Sequence, residues 1–470
     1  MGIYWSSPYA SIQEKTKMKR RILVIGGLAA GPSAASKAKR VDPEAEVVLF
    51  EQGEYISYGI CEIPYLISNE IIDPNQLIIY SPERLDKEKG VSAKTFHLVE
   101  EIHPTSREIR VRDLKGGITK TERYDKLILA TGSTPKKLEL EGVESRNVFT
   151  VKALDQAYAL KRFLDEERPR RAVVIGGGFV GLEMADAFVR RGIEVTVLHN
   201  AAQPMSKLEE EGRKIVTDEI LKHGVLFFPN TKVEWFGVGA KGNVVAVGTS
   251  AGTVETDIVV VAIGVAPNAS LAEATGIQRG NFGGICVSDK MKALGAENIF
   301  AAGDCCELRN IVTNKPMYIS LATTATKTGW IAGENAAGGN AIFKGTMRAI
   351  GVRVFDKEIA HVGLSLKEAK SFYIDAVAHT IRAQSKAGMM PGVQEISITL
   401  ISDRKSGRVL GANVLGNEGA IQRANTLAVA IRHGMTVSDV SEFDLIYTPP
   451  FAPLSDGINI IGHQMKKKYN

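Results

Sequence analysis

Arg21-Ile22-Leu23-Val24-Ile25-Gly26-Gly27-Leu28-Ala29-Ala30-Gly31 opens the readable part of this chain: an apolar run, a glycine-rich turn, then an Ala- and Lys-rich stretch of helical character. A second apolar run, Glu46 to Phe50, follows and closes on Glu51. This pattern predicts a β-α-β unit that holds a dinucleotide. Gly26, Gly27 and Gly31 permit a tight turn and close backbone approach, and Ala30 keeps the helix start small. The helix N-terminus faces a pyrophosphate, and Glu51 hydrogen-bonds a ribose hydroxyl. Leu28 stands where the fullest form of the motif has its middle glycine.

The pattern returns complete at Ala172 to Ile175, Gly176-Gly177-Gly178-Phe179-Val180-Gly181, a helix through Arg191, and Glu194 to Leu198. Here Gly176, Gly178 and Gly181 take the three glycine roles. Two copies predict an α/β chain with two Rossmann-like dinucleotide-binding domains. Because Ala301-Ala302-Gly303-Asp304 comes after the second copy, one domain is read as inserted into the other. At the end of the second unit stand His199 and Asn200, where an NAD-preferring site offers a carboxylate to the adenosine ribose. A phosphate on that ribose meets no like charge there, so NADPH is expected as well as NADH.

Between the two fingerprints lies Ser57-Tyr58-Gly59-Ile60-Cys61-Glu62-Ile63-Pro64-Tyr65, with no second cysteine near Cys61. A cysteine pair can close an internal disulfide, whereas a single sulfur must become a sulfenic acid or join an external thiol. Pro64 suits a first helical turn, so a helix beginning after Cys61 is expected to favour its thiolate, while Glu62 opposes it if the carboxylate points inward.

Length and composition bound the rest. At 470 residues the chain is too long for one ordinary core and has room for two or three α/β domains. Its 58 basic and 53 acidic residues are spread along the sequence, so the net charge of +5 gives no reason to expect nucleic acid as a partner. Lys466-Lys467-Lys468 reads as a solvated end. The four cysteines, Cys61, Cys286, Cys305 and Cys306, have neither zinc-like spacing nor a secreted-type framework. No metal is therefore assigned, the vicinal pair Cys305-Cys306 is read as packing, and a reducing cytoplasm is the expected compartment. No apolar run reaches the roughly 20 residues needed to span a bilayer, so no membrane partner is expected. Residues 1–18 are read as an extension outside the fold.

Together these motifs resemble the pyridine nucleotide-disulfide oxidoreductase superfamily, and most closely its single-cysteine branch, the coenzyme A-disulfide reductase type. Further matching segments are Ala130-Thr131-Gly132-Ser133, where the flavin domain hands over to the nicotinamide domain, and Ala262-Ile263-Gly264 with Pro267-Asn268, where the chain returns. The resemblance implies FAD on the first fingerprint, with Ala130, Thr131, Gly132, Gly303 and Asp304 completing its site, and NADPH or NADH on the second, with Glu183 near the nicotinamide and Gly264 at the return. It also implies a C-terminal α+β dimerisation domain in which Glu395 to Leu400 and Val409 to Val414 form antiparallel strands. A homodimer follows, with Tyr447 of Tyr447-Thr448-Pro449-Pro450-Phe451-Ala452-Pro453 sent to the neighbouring subunit's catalytic sulfur.

The expected domains are 19–152 for FAD, 153–285 for NAD(P), 286–344 for FAD again and 345–470 for dimerisation. By the same resemblance Cys61 and Tyr447 are catalytic, and Arg40, Ser57, Tyr58 and Lys89 occupy coenzyme A-contacting positions. The implied activity is NAD(P)H-dependent reduction of a small disulfide, persulfide or polysulfide, with coenzyme A as substrate or ligand. Two departures from the branch are Ile60 in place of a frequent asparagine, and Met389-Met390 where relatives carry a tyrosine pair. Related NADH oxidases and peroxidases carry a histidine in the first glycine loop, where this chain has Ala29. A ferredoxin- or rubredoxin-type electron-transfer reductase, in which Cys61 is idle, is the other alternative.

Overall fold

The computed structural model describes residues 19–467 other than residue 274; the expected extension 1–18 lies outside the described residues. Arg21–Ile25 is the central strand of a parallel sheet, flanked by Glu46–Phe50 and Lys126–Leu129, with Ser92–Lys94 and Ile299–Ala301 at its edges. These strands are continuous apolar runs rather than alternating ones because both faces are covered, by the helices Ala30–Val41 and Ala322–Ala336 and by a three-stranded antiparallel sheet whose Val99, Ile109 and Val111 join the same core.

The second sheet repeats the plan. Arg171–Ile175 is central, Glu194–Leu198 and Ile258–Val261 flank it, and Leu226–Phe228 and Val148–Phe149 form the edges. In both domains a three-stranded antiparallel sheet precedes the strand that returns beside the centre, His97–Arg123 in the first and Val233–Glu255 in the second. Val148–Phe149 already belongs to the second sheet through the pair Val148↔Val259, ahead of the change-over expected after 152. The reason is long-range: only pairing with Ile258–Val261 makes this short segment a strand.

The two pieces of the first domain meet through small residues. A Cβ on Gly329 or Gly333, in helix Ala322–Ala336, would lie 2.4 Å from the Ala30 carbonyl oxygen or 2.1 Å from that of Ala34. The helices are therefore in backbone contact, which nothing larger than glycine permits. Gly333→Leu should destabilise the protein by about 3 kcal/mol, read as a fall in thermal midpoint of roughly 5–10 °C. An unchanged melting curve would contradict this packing.

The C-terminal sheet is antiparallel, in the order Ala349–Val354, Lys357–Gly363, Val409–Gly416, Glu395–Asp403, Ala376–Gln384. Its central strand Val409–Gly416 and the neighbouring Glu395–Asp403 are buried almost throughout, not on one face only. Helices Ala420–Arg432 and Gly457–Lys466 pack against this sheet. The nicotinamide-type domain also reaches it: Leu415 packs against Gly212, and the Glu209 N–H donates to Asn413 Oδ1 at 2.7 Å. A second tie joins these domains where Glu219, His223 and Asp356 bring one ligand-type atom each within 4.8 Å of one another. The Lys222 ammonium lies 3.8 Å from Glu219 and 3.3 Å from Asp356 and offsets part of the charge there.

Candidate functional site

The two glycine loops are built alike. Gly26 has φ +109° and Gly176 φ +117°, and a Cβ on either would fall 2.1 Å from the Ala130 carbonyl oxygen or 2.4 Å from that of Ala262. Gly31 and Gly181 let the helices that follow sit on these loops: a Cβ there would lie 1.8 Å from the Gly26 oxygen or 1.9 Å from the Gly176 oxygen. Neither helix has an acidic residue in its first turn, so both N-termini favour an anion. At Gly178 a Cβ would meet nothing within 4 Å, leaving that backbone open to a phosphate.

Each loop also pins the residue ending the second strand. The Gly27 N–H donates to Glu51 Oε2 at 2.7 Å and the Gly53 N–H to Oε1 at 2.8 Å, while burial pushes the carboxyl up. In the other domain the Gly177 N–H donates to His199 Nδ1 at 3.1 Å, in the slot Glu51 fills in the first. Nδ1 is thus the acceptor and Nε2 carries the hydrogen. Burial lowers the affinity of this imidazole for a second proton, so the slot holds a neutral ring, its Nε2 buried, and no carboxylate.

The two linker signatures, far apart in sequence, form one ribbon. Ser133–Pro135 pairs antiparallel with Val265–Pro267, and Thr131 Oγ1 donates to the Asn268 carbonyl. Gly132 and Gly264, at φ +70° and +101°, make the turns that bring Ala130 and the returning chain together. Below this ribbon Asp304 accepts from Ser133 Oγ at 3.0 Å, from Ser320 Oγ, and from Lys152 Nζ at 3.4 Å. Gly303, at φ +79°, packs on Ala30 of the first loop, which places Asp304 in the first nucleotide domain. Lys152 and Ser320 escaped sequence reading because each is an ordinary polar residue until folding sets it beside Asp304. The glycine cradle, the Glu51 carboxylate and the Asp304 acceptor fit the pyrophosphate, ribose and ribityl groups of FAD.

Cys61 immediately precedes the N-cap, Glu62, of the short helix Ile63–Ile67. Its loop is fastened to the first cradle, since the Ser57 N–H donates to the Gly27 carbonyl at 2.7 Å. The residue is exposed, yet the protein around it still desolvates the sulfur. Burial leads in pushing the thiol up; Glu62, Glu183 and Asp304 add to the rise, and Lys152 opposes it. The expected help from a helix N-terminus is slight, because five residues sum few peptide dipoles. Glu62 folds back over Gly59, where an added Cβ would lie 2.3 Å from its Oε2. Glu62→Gln should therefore lower the thiol's titration midpoint by about one pH unit, measured as the pH dependence of Cys61 alkylation. A midpoint equal to wild type would show that this carboxylate does not act on the sulfur.

Glu183, on the helix of the second loop, reaches the same region. Burial pushes its carboxyl up to about 7, with Arg353 offsetting and Asp186 adding to the rise. Arg353 comes from the C-terminal sheet. It pairs with Glu70 at 2.9 Å, lies 4.9 Å from the Tyr65 ring centroid and 3.8 Å from Asp186, and so ties all three domains beside the Cys61 helix.

Among the coenzyme A positions, Ser57 adopts φ +47° and Tyr58 is half-buried, its hydroxyl accepting from the Leu154 N–H at 3.3 Å. Burial raises that phenol to about 12. Arg40 and Lys89 end neighbouring helices, Ala30–Val41 and Pro82–Lys89, which pack together with Lys39 against Gly90. Tyr447 is half-exposed, and its segment is held to the Met389-Met390 loop by the Ala387 N–H donating to the Pro449 carbonyl at 3.1 Å. Cys305 and Cys306 are fully buried with sulfurs 3.8 Å apart. No helix among the described residues is long and apolar enough to cross a membrane.

Comparison with known proteins agrees with this geometry. The sequence profile of pyridine nucleotide-disulphide oxidoreductases matches residues 20–329, and that of their dimerisation domain residues 350–454. The NAD(P)H coenzyme A polysulfide/persulfide reductase of Pyrococcus horikoshii is 33% identical over 96% of this chain and 99% of its own. A coenzyme A disulfide reductase of Staphylococcus aureus is 30% identical over 95% and 100%. The solved NAD-dependent persulfide reductase from A. fulgidus superposes with a TM-score of 0.92 at 32% identity, covering 95% of this chain and 83% of that one.

Proposed function

Because the chain belongs to the pyridine nucleotide-disulphide oxidoreductase family, we infer that it is an FAD-dependent NAD(P)H oxidoreductase that reduces a low-molecular-weight disulfide, persulfide or polysulfide through Cys61. The observation that carries this is a lone thiol whose loop is fastened to the first glycine cradle and faces charges from both nucleotide domains.

The first loop, Glu51 and Asp304 would hold FAD, which when bound would supply the relay of two electrons from the nicotinamide to a disulfide on Cys61. The Cys61 thiolate attacks the nearer sulfur of the substrate disulfide, forming a mixed disulfide and releasing one thiolate. Two electrons and one proton then return Cys61 to the thiolate and release the second sulfur as a thiol. Glu183, near neutrality in its proton affinity, is suited to sit against a nicotinamide without imposing a full charge. Arg40 and Lys89 suit the phosphates of a coenzyme A-type substrate, with Ser57 and Tyr58 beside its thiol end.

A homodimer completes the site. Met389, Ile446, Phe451 and Leu454 are each more than 70% exposed around Tyr447, which favours a second copy covering them. Tyr447 of one copy then serves Cys61 of the other, its hydroxyl protonating the departing thiolate. Replacing a neutral ring by a carboxylate in the ribose slot should turn the enzyme against NADPH. His199→Asp should shift the NADPH-to-NADH ratio of kcat/KM toward NADH by about tenfold or more, and an unmoved ratio would exclude His199 from that choice.

The direct test is stopped-flow: the protein is reduced with NADPH, then mixed with coenzyme A disulfide or polysulfide. Rapid reoxidation of the flavin is expected. Reoxidation no faster than with buffer alone would reject both acceptors.

A further inference from the structure

We propose that Arg191, at the end of helix Phe179–Arg190, is a positioning residue that seats the helix after Cys61 and so sets where the sulfur stands relative to the flavin cradle. That helix, Ile63–Ile67, belongs by sequence to the first nucleotide domain and by packing to the second. Ile63, Leu66 and Ile67 are fully buried in one core with Leu160 and Leu164 of helix Leu154–Glu167 and Leu182 of Phe179–Arg190. Ile60, beside Cys61, packs on the same core, whereas strand Arg21–Ile25 and its neighbours lie in a separate one.

Five residues are too few for a helix to hold by itself, and apolar burial is non-directional, so polar contacts at its C-terminal end decide its orientation. Arg191 Nη1 donates to the Ile67 carbonyl at 3.2 Å and to Asn69 Oδ1 at 3.3 Å. This carbonyl is among the last of the helix, which find no partner within it. The other arm of the guanidinium, Nη2, is paired with Asp165, and the side chain is only 12% exposed. Asn69, at φ +66°, turns the chain out of the helix and also accepts from Lys161 Nζ at 2.6 Å. Lys161 and Asp165 share helix Leu154–Glu167, so the whole anchor is built from the second domain.

At the near end the segment is tied to the first cradle, through the Ser57 N–H and the Gly27 carbonyl. Cys61 therefore lies between an anchor on each nucleotide domain. Ile67 comes six residues after it, about 9 Å along a helix. Releasing the far anchor lets the helix tilt, and about 1 Å of displacement at a reacting atom costs up to about a hundredfold in rate.

The proposal rests on Cys61 as the reacting thiol beside FAD, and its test reads the placement of that thiol directly. FAD-loaded protein is treated with a dithiol to free Cys61, desalted, and titrated from about pH 6 to 10 while the long-wavelength absorbance of a thiolate against oxidised flavin is recorded. Arg191→Met should lose at least about half of this band, with a titration midpoint moved by less than about half a pH unit. Arg191→Lys, which keeps the charge but not the planar fork, should keep an intermediate amplitude. In Arg191→Met the kcat with coenzyme A disulfide should fall about tenfold, while KM for NADPH and the rate of ferricyanide reduction stay within about twofold of wild type. If the Met variant does not accumulate, Arg191→Gln gives the same readings.

A full band in Arg191→Met overturns the role given to Arg191. So does loss of flavin or an equal fall with both acceptors, which marks a structural role only, or a lysine variant no better than methionine. A wild type without the band removes the premise about Cys61, and the proposal with it. Cys61→Ser, which must abolish a genuine band, tells that failure from the others.

Discussion

Cys61→Ser should lower turnover with coenzyme A disulfide or polysulfide by at least about a thousandfold, while FAD content and NAD(P)H-dependent reduction of a dye such as ferricyanide stay within about twofold of wild type. A serine hydroxyl is not ionised at neutral pH and forms no sulfur–sulfur bond, so the mixed disulfide has no route of formation. The flavin cradle should be untouched, because the loop is fastened through the Ser57 backbone and Cys61 is an exposed residue whose change from sulfur to oxygen is nearly isosteric. The split between acceptors is what discriminates. An electron-transfer reductase for a protein partner would keep all its activity in this variant. Full disulfide turnover in Cys61→Ser would remove the thiol from the mechanism.

The second large effect separates the two nucleotide sites. Gly31→Ala should yield protein without bound flavin. Gly181→Ala should keep its flavin but lose NAD(P)H-dependent reduction by about a hundredfold or more. The added methyl would lie 1.8 Å from the Gly26 oxygen in one case and 1.9 Å from the Gly176 oxygen in the other. Both contacts are with backbone, so the helix must move off its loop at about 3 kcal/mol or more, and the phosphate-binding N–H groups move with it. Chemical reduction of the Gly181→Ala protein should restore reaction with the disulfide, because the lesion is upstream of Cys61. Loss of flavin from Gly181→Ala, or its retention by Gly31→Ala, would exchange or merge the roles given to the two loops.

Both strand–glycine-turn–helix units, with Glu51 and His199 at the ends of their second strands, were legible in the sequence alone. Each strand–turn–helix unit is contiguous and its glycines are demanded by local backbone geometry, so neighbours in sequence suffice. The C-terminal strands were equally legible as strands. Their burial on both faces was not, because Leu415 and Asn413 are covered by Gly212 and Glu209 of another domain.

The charge around the thiol was decided only by tertiary structure. Glu62 is next to Cys61 in any conformation, yet whether it opposes the thiolate depends on its turning back over Gly59. Glu183, Asp304, Lys152 and Arg353 converge there from three separate regions of the chain. Electrostatic influence falls off with distance in space and with solvent screening, neither of which is written in residue order. Chemical identity of the reacting group is therefore a property of the sequence, and its proton affinity a property of the fold.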